Sequence, residues 1–292
     1  MNFQSLKIHR QLLKALKKLS LIEATDVQKK IIPLIQEGKD IMVSAQTGSG
    51  KTATFLLPTL HFMLEKDAPR SSTRSLILLP TRELAIQTQA SLKQLASFTY
   101  IKSGLIIGGE AFKHQVATLR KNPEIIIATP GRLVEHIEKG TTDFNDLEIL
   151  ILDEADRMLD MGFADEMHAI SKSCNKNRQN LLFSATLNHR GFSQIKTMFK
   201  DPKLIKIDSA RQCPPQISQQ IILCDNKKHK EELTAALINE EKVNKIFIFC
   251  KTRIQCEQLS NSLTNKKHRT AFINGEIPQH NRKPVIAKFH SG

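Results

Sequence analysis

Asp40-Ile41-Met42-Val43-Ser44-Ala45-Gln46-Thr47-Gly48-Ser49-Gly50-Lys51-Thr52 is the stretch on which the fold turns. A short run of apolar β-formers leads into a glycine-rich turn. From Ala53 to Leu64 the chain then carries Phe55, Leu56, Leu60 and Met63 at helical spacing. Strand, glycine turn and helix, in that order, make a phosphate-binding loop. Gly48 and Gly50 let backbone N–H groups turn inward around phosphate oxygens, and the helix N-terminus adds partial positive charge. Ala45, Gln46, Thr47 and Ser49 complete the cradle. Lys51 is placed to reach the β and γ phosphates of a nucleoside triphosphate, and the Thr52 hydroxyl to hold Mg²⁺. Ala45 stands where the general pattern has its first glycine.

Outward from this loop the chain alternates between two periodicities. Apolar runs at Ser75 to Leu79, Ser103 to Ile107, Ile125 to Ala128, Leu147 to Leu152 and Asn180 to Phe183 read as strands. Helical patterns separate them, at Arg82 to Phe98, Ala111 to Leu119, Leu133 to Lys139 and Glu166 to Ser171. Strands this apolar are buried on both faces, so the expectation is an α/β fold: a parallel sheet with helices on both sides and ligands at the strands' C-terminal ends. Before the loop, leucines 6, 12, 13, 16 and 19 mark an amphipathic helix, and a second short helix runs from Gln28 to Gln36. Pro214-Pro215 lies in the polar string of residues 208–219, the expected linker. It divides a first domain, 1–207, from a second, 220–292. There Ile217 to Leu223, Lys245 to Cys250 and Thr270 to Ile273 read as strands among helices at His229 to Asn239, Ile254 to Thr264 and Gln279 to Phe289.

Composition narrows the class. At 292 residues, with 40% hydrophobic and 25% charged side chains, the chain suits a soluble protein of two domains. Met1 to Ser5 leads into an amphipathic segment unlike a signal peptide, and no run approaches the ~20 apolar residues of a membrane span. Five scattered cysteines without metal or CxxC spacing read as reduced thiols, so a cytoplasmic location without membrane attachment is expected. The net charge of +14 favours a polyanionic partner. Half of that excess lies from Arg211 onward, where fourteen Lys or Arg face seven Asp or Glu.

The run Leu147 to Leu152 delivers Asp153-Glu154-Ala155-Asp156 to the sheet edge where the phosphate loop must lie. Cleaving a phosphoanhydride calls for a metal-binding carboxylate and a second that orients water; Asp153 suits the first role and Glu154 the second. Further strings follow in order: PTRELA at Pro80 to Ala85, Gly108-Gly109, Thr129-Pro130-Gly131-Arg132, Ser184-Ala185-Thr186, FIFC at Phe247 to Cys250, and Gln279 with Arg282. With DEAD itself at 153–156, the chain resembles the DEAD-box ATP-dependent RNA helicases over nearly its whole length. The longer string DEADRMLDMGF resembles the bacterial, SrmB-like members, which assist ribosome assembly.

The resemblance implies two RecA-like parallel-sheet lobes, the second incomplete, and RNA-stimulated ATP hydrolysis coupled to local unwinding of short duplexes. It implies that Pro80, Arg82, Gly108, Gly109, Thr129, Pro130, Gly131, Arg132, Gln279 and Arg282 grip the backbone of an RNA strand, ribosomal or pre-ribosomal RNA included. Ser184 and Thr186 would hydrogen-bond toward Asp156 and couple nucleotide state to RNA grip. Gln28, with Thr25 and the upstream Phe3, matches the adenine-selecting segment. Ser20, Leu21 and Ala24 stand where the family has Gly, an aromatic and Pro. The arginine-containing motifs that the family carries later in its second lobe do not occur before Gly292, which implies a C-terminally truncated chain of poor turnover. Two rival classes are a catalytically deficient RNA-binding fragment and a DNA translocase of the same superfamily, against which the DEAD string and Gln28 argue.

Overall fold

The computed structural model describes residues 3–45, 49–65, 72–187, 191–207, 218, 220–240 and 244–291. The chain divides into two compact units, Met1–Gln212 and Cys213–Gly292. The expected linker spans that division, but residues 208–217 and 219 lie outside the described residues.

The described residues of the first unit hold seven strands: β1 (Ile41–Ser44), β2 (Ser75–Leu78), β3 (Ser103–Ile106), β4 (Ile125–Ala128), β5 (Ile149–Leu152), β6 (Gln179–Ser184) and β7 (Lys203–Lys206). They form one sheet, in the order β3-β4-β2-β5-β6-β1-β7, with every pair parallel. Its helices are α1 (Arg10–Lys18), α2 (Asp26–Gln36), α3 (Lys51–Glu65), α4 (Arg82–Leu95), α5 (Phe112–Leu119), α6 (Pro130–Glu138), α7 (Ala155–Asp160), α8 (Ala164–Ser173) and the single turn α9 (Phe192–Ile195). A 3-10 turn, Phe3–Leu6, precedes α1.

Period-two alternation sends neighbouring strand residues to opposite faces, and here each face finds its own helices. Val43, Ile77, Ile127, Ile151 and Phe183 join a core with α1, α2, α3 and α4. Met42, Leu78, Ile126, Leu150 and Leu182 join a second core with α6, α7, α8 and α9. Fully burying one such side chain is worth about 1.5–3 kcal/mol, which is why the four-residue runs SLIL, IIIA and ILIL suffice as strands. β7 was not expected. Its sequence, Lys-Leu-Ile-Lys, sits at the sheet edge with only Ile205 buried, so it carries no continuous apolar signal. The expected first helix begins later than Leu6, at Arg10, where the His9 side chain caps it.

The second unit contributes α10 (Lys227–Ile238), α11 (Arg253–Asn265) and α12 (Gln279–Ser291). Its expected strands around Ile221, Phe247 and Ile273 form no ladder among the described residues. An apolar run becomes a strand only where a neighbour accepts its hydrogen bonds; here Ile221, Leu223 and Phe249 stay 92%, 88% and 94% exposed. No helix among the described residues is long and apolar enough to cross a membrane.

Candidate functional site

The C-terminal ends of β1, β5 and β6 lie side by side in the sheet, and the loops that leave them carry the chemistry. Gln46, Thr47 and Gly48 lie outside the described residues. From Ser49 the loop runs into α3, whose first two residues are Lys51 and Thr52. Lys51 is buried, and its Nζ donates to the Ala45 carbonyl at 2.9 Å, so the ammonium is folded back across the loop. Gly50 has φ +86°, and a Cβ there would come within 2.8 Å of the Gln28 amide; only glycine serves at this point.

The segment before the loop is attached to it. Thr25 and Gln28 form a capping box on α2. The same two side chains donate to the loop: Thr25 Oγ1 to the Ser49 carbonyl at 3.1 Å and Gln28 Nε2 to the Gly50 carbonyl at 3.3 Å. Phe3 is buried in the core. Ser20, in the place of the family's glycine, has φ +56°, and Leu21 next to it is 45% exposed.

Asp153 ends β5 in a buried position. Desolvation raises its pKa from 3.8 to about 6; the nearby Lys51 ammonium opposes the rise, while Glu154 and Asp156 add to it. A carboxylate held out of water beside one lysine and two acids is short of positive charge, which suits a divalent cation. Glu154 adopts a left-handed conformation, φ 53°, at the start of α7. Its N–H donates to Asp153 Oδ1 at 3.0 Å, and its carboxylate stands 3.5 Å from the Arg157 guanidinium. A non-glycine residue held there is a strained feature of the kind that gathers at functional sites.

Asp156 is joined to the end of β6, and of the two expected partners Thr186 reaches it through its backbone. Its Oδ2 accepts from the backbone N–H groups of Ala185 and Thr186, both at 3.1 Å. The Ser184 hydroxyl instead donates to the Thr186 carbonyl at 2.5 Å and accepts from the Thr186 N–H at 3.2 Å. Main-chain donors explain why a small, tightly turned Ser-Ala-Thr follows the strand.

A second group of residues gathers at the ends of β2, β3 and β4, which are also neighbours. Pro80 is buried at the end of β2, and Arg82 opens α4 behind the Thr81 cap. The Arg82 guanidinium lies over Gly108 and Gly109: a Cβ on Gly108 would sit 3.2 Å from Nη2, and one on Gly109, at φ +80°, would collide with it. Thr129 caps α6 without a side-chain hydrogen bond, Pro130 takes its first position, and Gly131 and Arg132 follow. Arg132 Nη1 donates to the Glu110 carbonyl at 2.9 Å. Arg82, Gly108, Gly131 and Arg132 are partly exposed and Gly109 is exposed, while Pro80, Thr129 and Pro130 are buried beneath them; the accessible guanidinium and amide donors suit a sugar-phosphate backbone and not base edges.

In the second unit Arg282 is turned inward: its Nε donates to the Ile277 carbonyl at 2.9 Å and its Nη2 to Asn274 and Gly275 at 3.0 and 3.2 Å. Gln279 begins α12, and its side chain lies outside the described residues. Sequence reading gave no role to Arg157, although it lies in the DEADRMLDMGF string, and passed over Glu110 and Gln115; each is found through its contact with a residue that was named.

Comparison with known proteins supplies the rest. The model of the DEAD/DEAH box helicase family matches residues 25–195, and that of the helicase conserved C-terminal domain matches residues 228–292. The chain is 41% identical to the probable ATP-dependent RNA helicase ddx27 of Dictyostelium discoideum, across 99% of this chain and 38% of that protein. It is 36% identical to the ATP-dependent RNA helicase SrmB of Haemophilus influenzae, across 99% of this chain and 66% of that one. It therefore spans less than two thirds of either relative. Among solved structures it resembles S. cerevisiae Dbp5 bound to RNA and ADP BeF3, with a TM-score of 0.88 at 25% identity, covering 100% of this chain and 73% of that one. With one family model spanning more than half of its length and motif after motif in register, the chain belongs to the DEAD-box RNA helicase family.

Proposed function

We propose that the chain works as the ATP-hydrolysing, RNA-gripping part of an RNA helicase, separating short duplexes without regard to sequence. The observation that carries this reading is the meeting of Lys51 with Asp153 at the C-terminal edge of the sheet, with Asp156 tied to the turn after β6.

In this reading Lys51 leaves the Ala45 carbonyl to meet the β and γ phosphates, while Gln28 and Thr25 select adenine. Asp153 and Thr52 would hold Mg²⁺, which when bound neutralises phosphate charge and acts as a Lewis acid. Glu154 orients the attacking water, and Arg157 steadies that carboxylate. Any shift of Asp156 reaches the Ser184 to Thr186 turn through two hydrogen bonds, a route from nucleotide to RNA. In the first unit Pro80, Arg82, Gly108, Gly109, Thr129, Pro130, Gly131 and Arg132 grip phosphates and 2′-hydroxyls; in the second unit Gln279 and Arg282 are taken, by the family resemblance, as RNA-contacting residues. The finer, SrmB-like placement, and with it pre-ribosomal RNA as the substrate class, rests on the DEADRMLDMGF string, and the cytoplasm as the site of action on the scattered cysteines and the N-terminal segment.

Phosphate release measured with and without single-stranded RNA, and with DNA of the same sequence, tests the proposal. RNA-stimulated turnover is expected, with Lys51→Ala losing nucleotide binding and Glu154→Gln keeping binding while losing turnover. RNA binding without turnover would make the chain a deficient binder instead. Equal stimulation by DNA would favour a DNA translocase.

A further inference from the structure

Gln115 and His136 are almost fully buried polar residues, at 2% and 0% exposure, with no part in the chemistry described so far. They stand side by side under the second group of loops. Gln115 Nε2 donates to the Ile107 carbonyl at 2.6 Å, immediately before Gly108-Gly109. Gln115 Oε1 faces two donors: Arg132 Nη1 at 3.4 Å and His136 Nε2 at 3.0 Å. On the far side of the imidazole, Nδ1 meets the Thr141 hydroxyl at 2.8 Å.

The contacts of Gln115 fix the protons on its side of the row. The Gln115 amide must point its nitrogen at Ile107, so its oxygen can only accept, and His136 must carry its proton on Nε2. Nδ1 of the neutral ring is then an acceptor beside the Thr141 hydroxyl, whose single proton is shared between it and the His136 carbonyl at 3.0 Å. Burial first, and the Arg132 charge second, push the His136 pKa down, in keeping with this neutral tautomer. The ring is fixed from the side as well: it stacks on Phe112 at 4.0 Å between centroids, 6° from parallel. The same Arg132 that touches Gln115 also pairs with Glu135 at 3.2 Å and, by its other contact, holds the Glu110 carbonyl.

We propose that Gln115, oriented by His136, is a positioning residue for RNA: it locks the Gly108-Gly109 turn and the Arg132 guanidinium into one frame. This rests on the RNA-gripping role given above to those two elements. Arg82 lies on the same glycines, so three groups from three separate loops are held at fixed spacing, as successive phosphates of a strand require. A rigid frame is prepared before RNA arrives, and the ordering cost on binding is smaller.

The test uses the full chain, a fluorescein-labelled RNA ten-mer read by anisotropy, and a fluorescent ATP analogue. Gln115→Met has similar length but neither donor nor acceptor. It should weaken RNA binding about tenfold, the scale of one net hydrogen bond to a charged group, and leave ATP-analogue affinity unchanged. His136→Phe keeps the stack on Phe112 and loses the donor, so it should weaken RNA in the same way; His136→Gln restores a donor and should recover most of the affinity. In an Arg132→Ala background Gln115→Met should cost little more, because both act through one guanidinium. Unchanged RNA affinity in Gln115→Met and His136→Phe, or a full additional loss on top of Arg132→Ala, would overturn the proposal. So would a parallel loss of nucleotide binding, which would make the pair a prop of the fold alone. If Gln115→Met does not fold, the two His136 variants decide. Failure of the unsubstituted chain to bind RNA would refute the function proposed for the site, a result distinct from all of these.

Discussion

Asp153→Asn should make the ligand-free protein more stable, and only at neutral pH. The folded state raises the carboxyl pKa from 3.8 to about 6, so between those values the native protein keeps a proton that the unfolded chain has released. Stability therefore falls as pH rises through this window and is flat above it. Two units at ~1.4 kcal/mol each set the cost of the buried charge at about 3 kcal/mol. Asparagine is never charged, fills the same volume and can still accept the Glu154 N–H. The variant and the parent should match near pH 4 and diverge to about 2–3 kcal/mol in favour of the variant above pH 6.5. The chain has no tryptophan, so urea unfolding is best followed by far-ultraviolet circular dichroism across that pH range. Added Mg²⁺ and ATP should close the gap by stabilising only the parent. A variant no more stable than the parent at pH 7.5 would refute the reasoning, and a gap that does not depend on pH would show that charge burial is not its cause.

Two further outcomes are expected. Ser20→Gly relieves a left-handed backbone at φ +56° and should raise stability by about 1 kcal/mol in the same urea titration; a loss of stability would show that the Ser20 side chain makes a contact worth more than the strain. Gly109→Ala places a methyl group against the Arg82 guanidinium at φ +80° and should weaken RNA binding at least tenfold, on the scale of ~1–3 kcal/mol for a forced backbone, with ATP-analogue binding retained; unaltered anisotropy titrations would contradict the arrangement of that turn.

The readable parts of the sequence are those whose signal is local. Ile125 to Ala128 and Ile149 to Leu152 announce themselves because both their faces are buried, and Lys51 because a loop of that shape has few other uses. Lys203 to Lys206 is a strand only because β1 lies beside it, while Phe247 to Cys250, with a far stronger pattern, forms no ladder among the described residues. The same division runs through the site. Asp153 is named by its motif, but its proton affinity comes from burial beside Lys51. Gln115 and His136 sit twenty-one residues apart in ordinary helical sequence, and nothing short of the folded backbone brings them together.

The position of β1 in the sheet sets a timetable for synthesis. The strand that carries the phosphate loop is flanked by β6 and β7, and Ile41 is paired with Leu181, 140 residues later. At ~5–20 residues per second, a ribosome needs roughly 7–28 s to supply that partner. Over that interval Ile41, Met42 and Val43 wait beside nothing, while β2, β4 and β5, which neighbour one another, can already assemble. The nucleotide site is thus among the first sequences made and among the last structures completed, and a nascent chain released early would hold most of a sheet and no place for ATP.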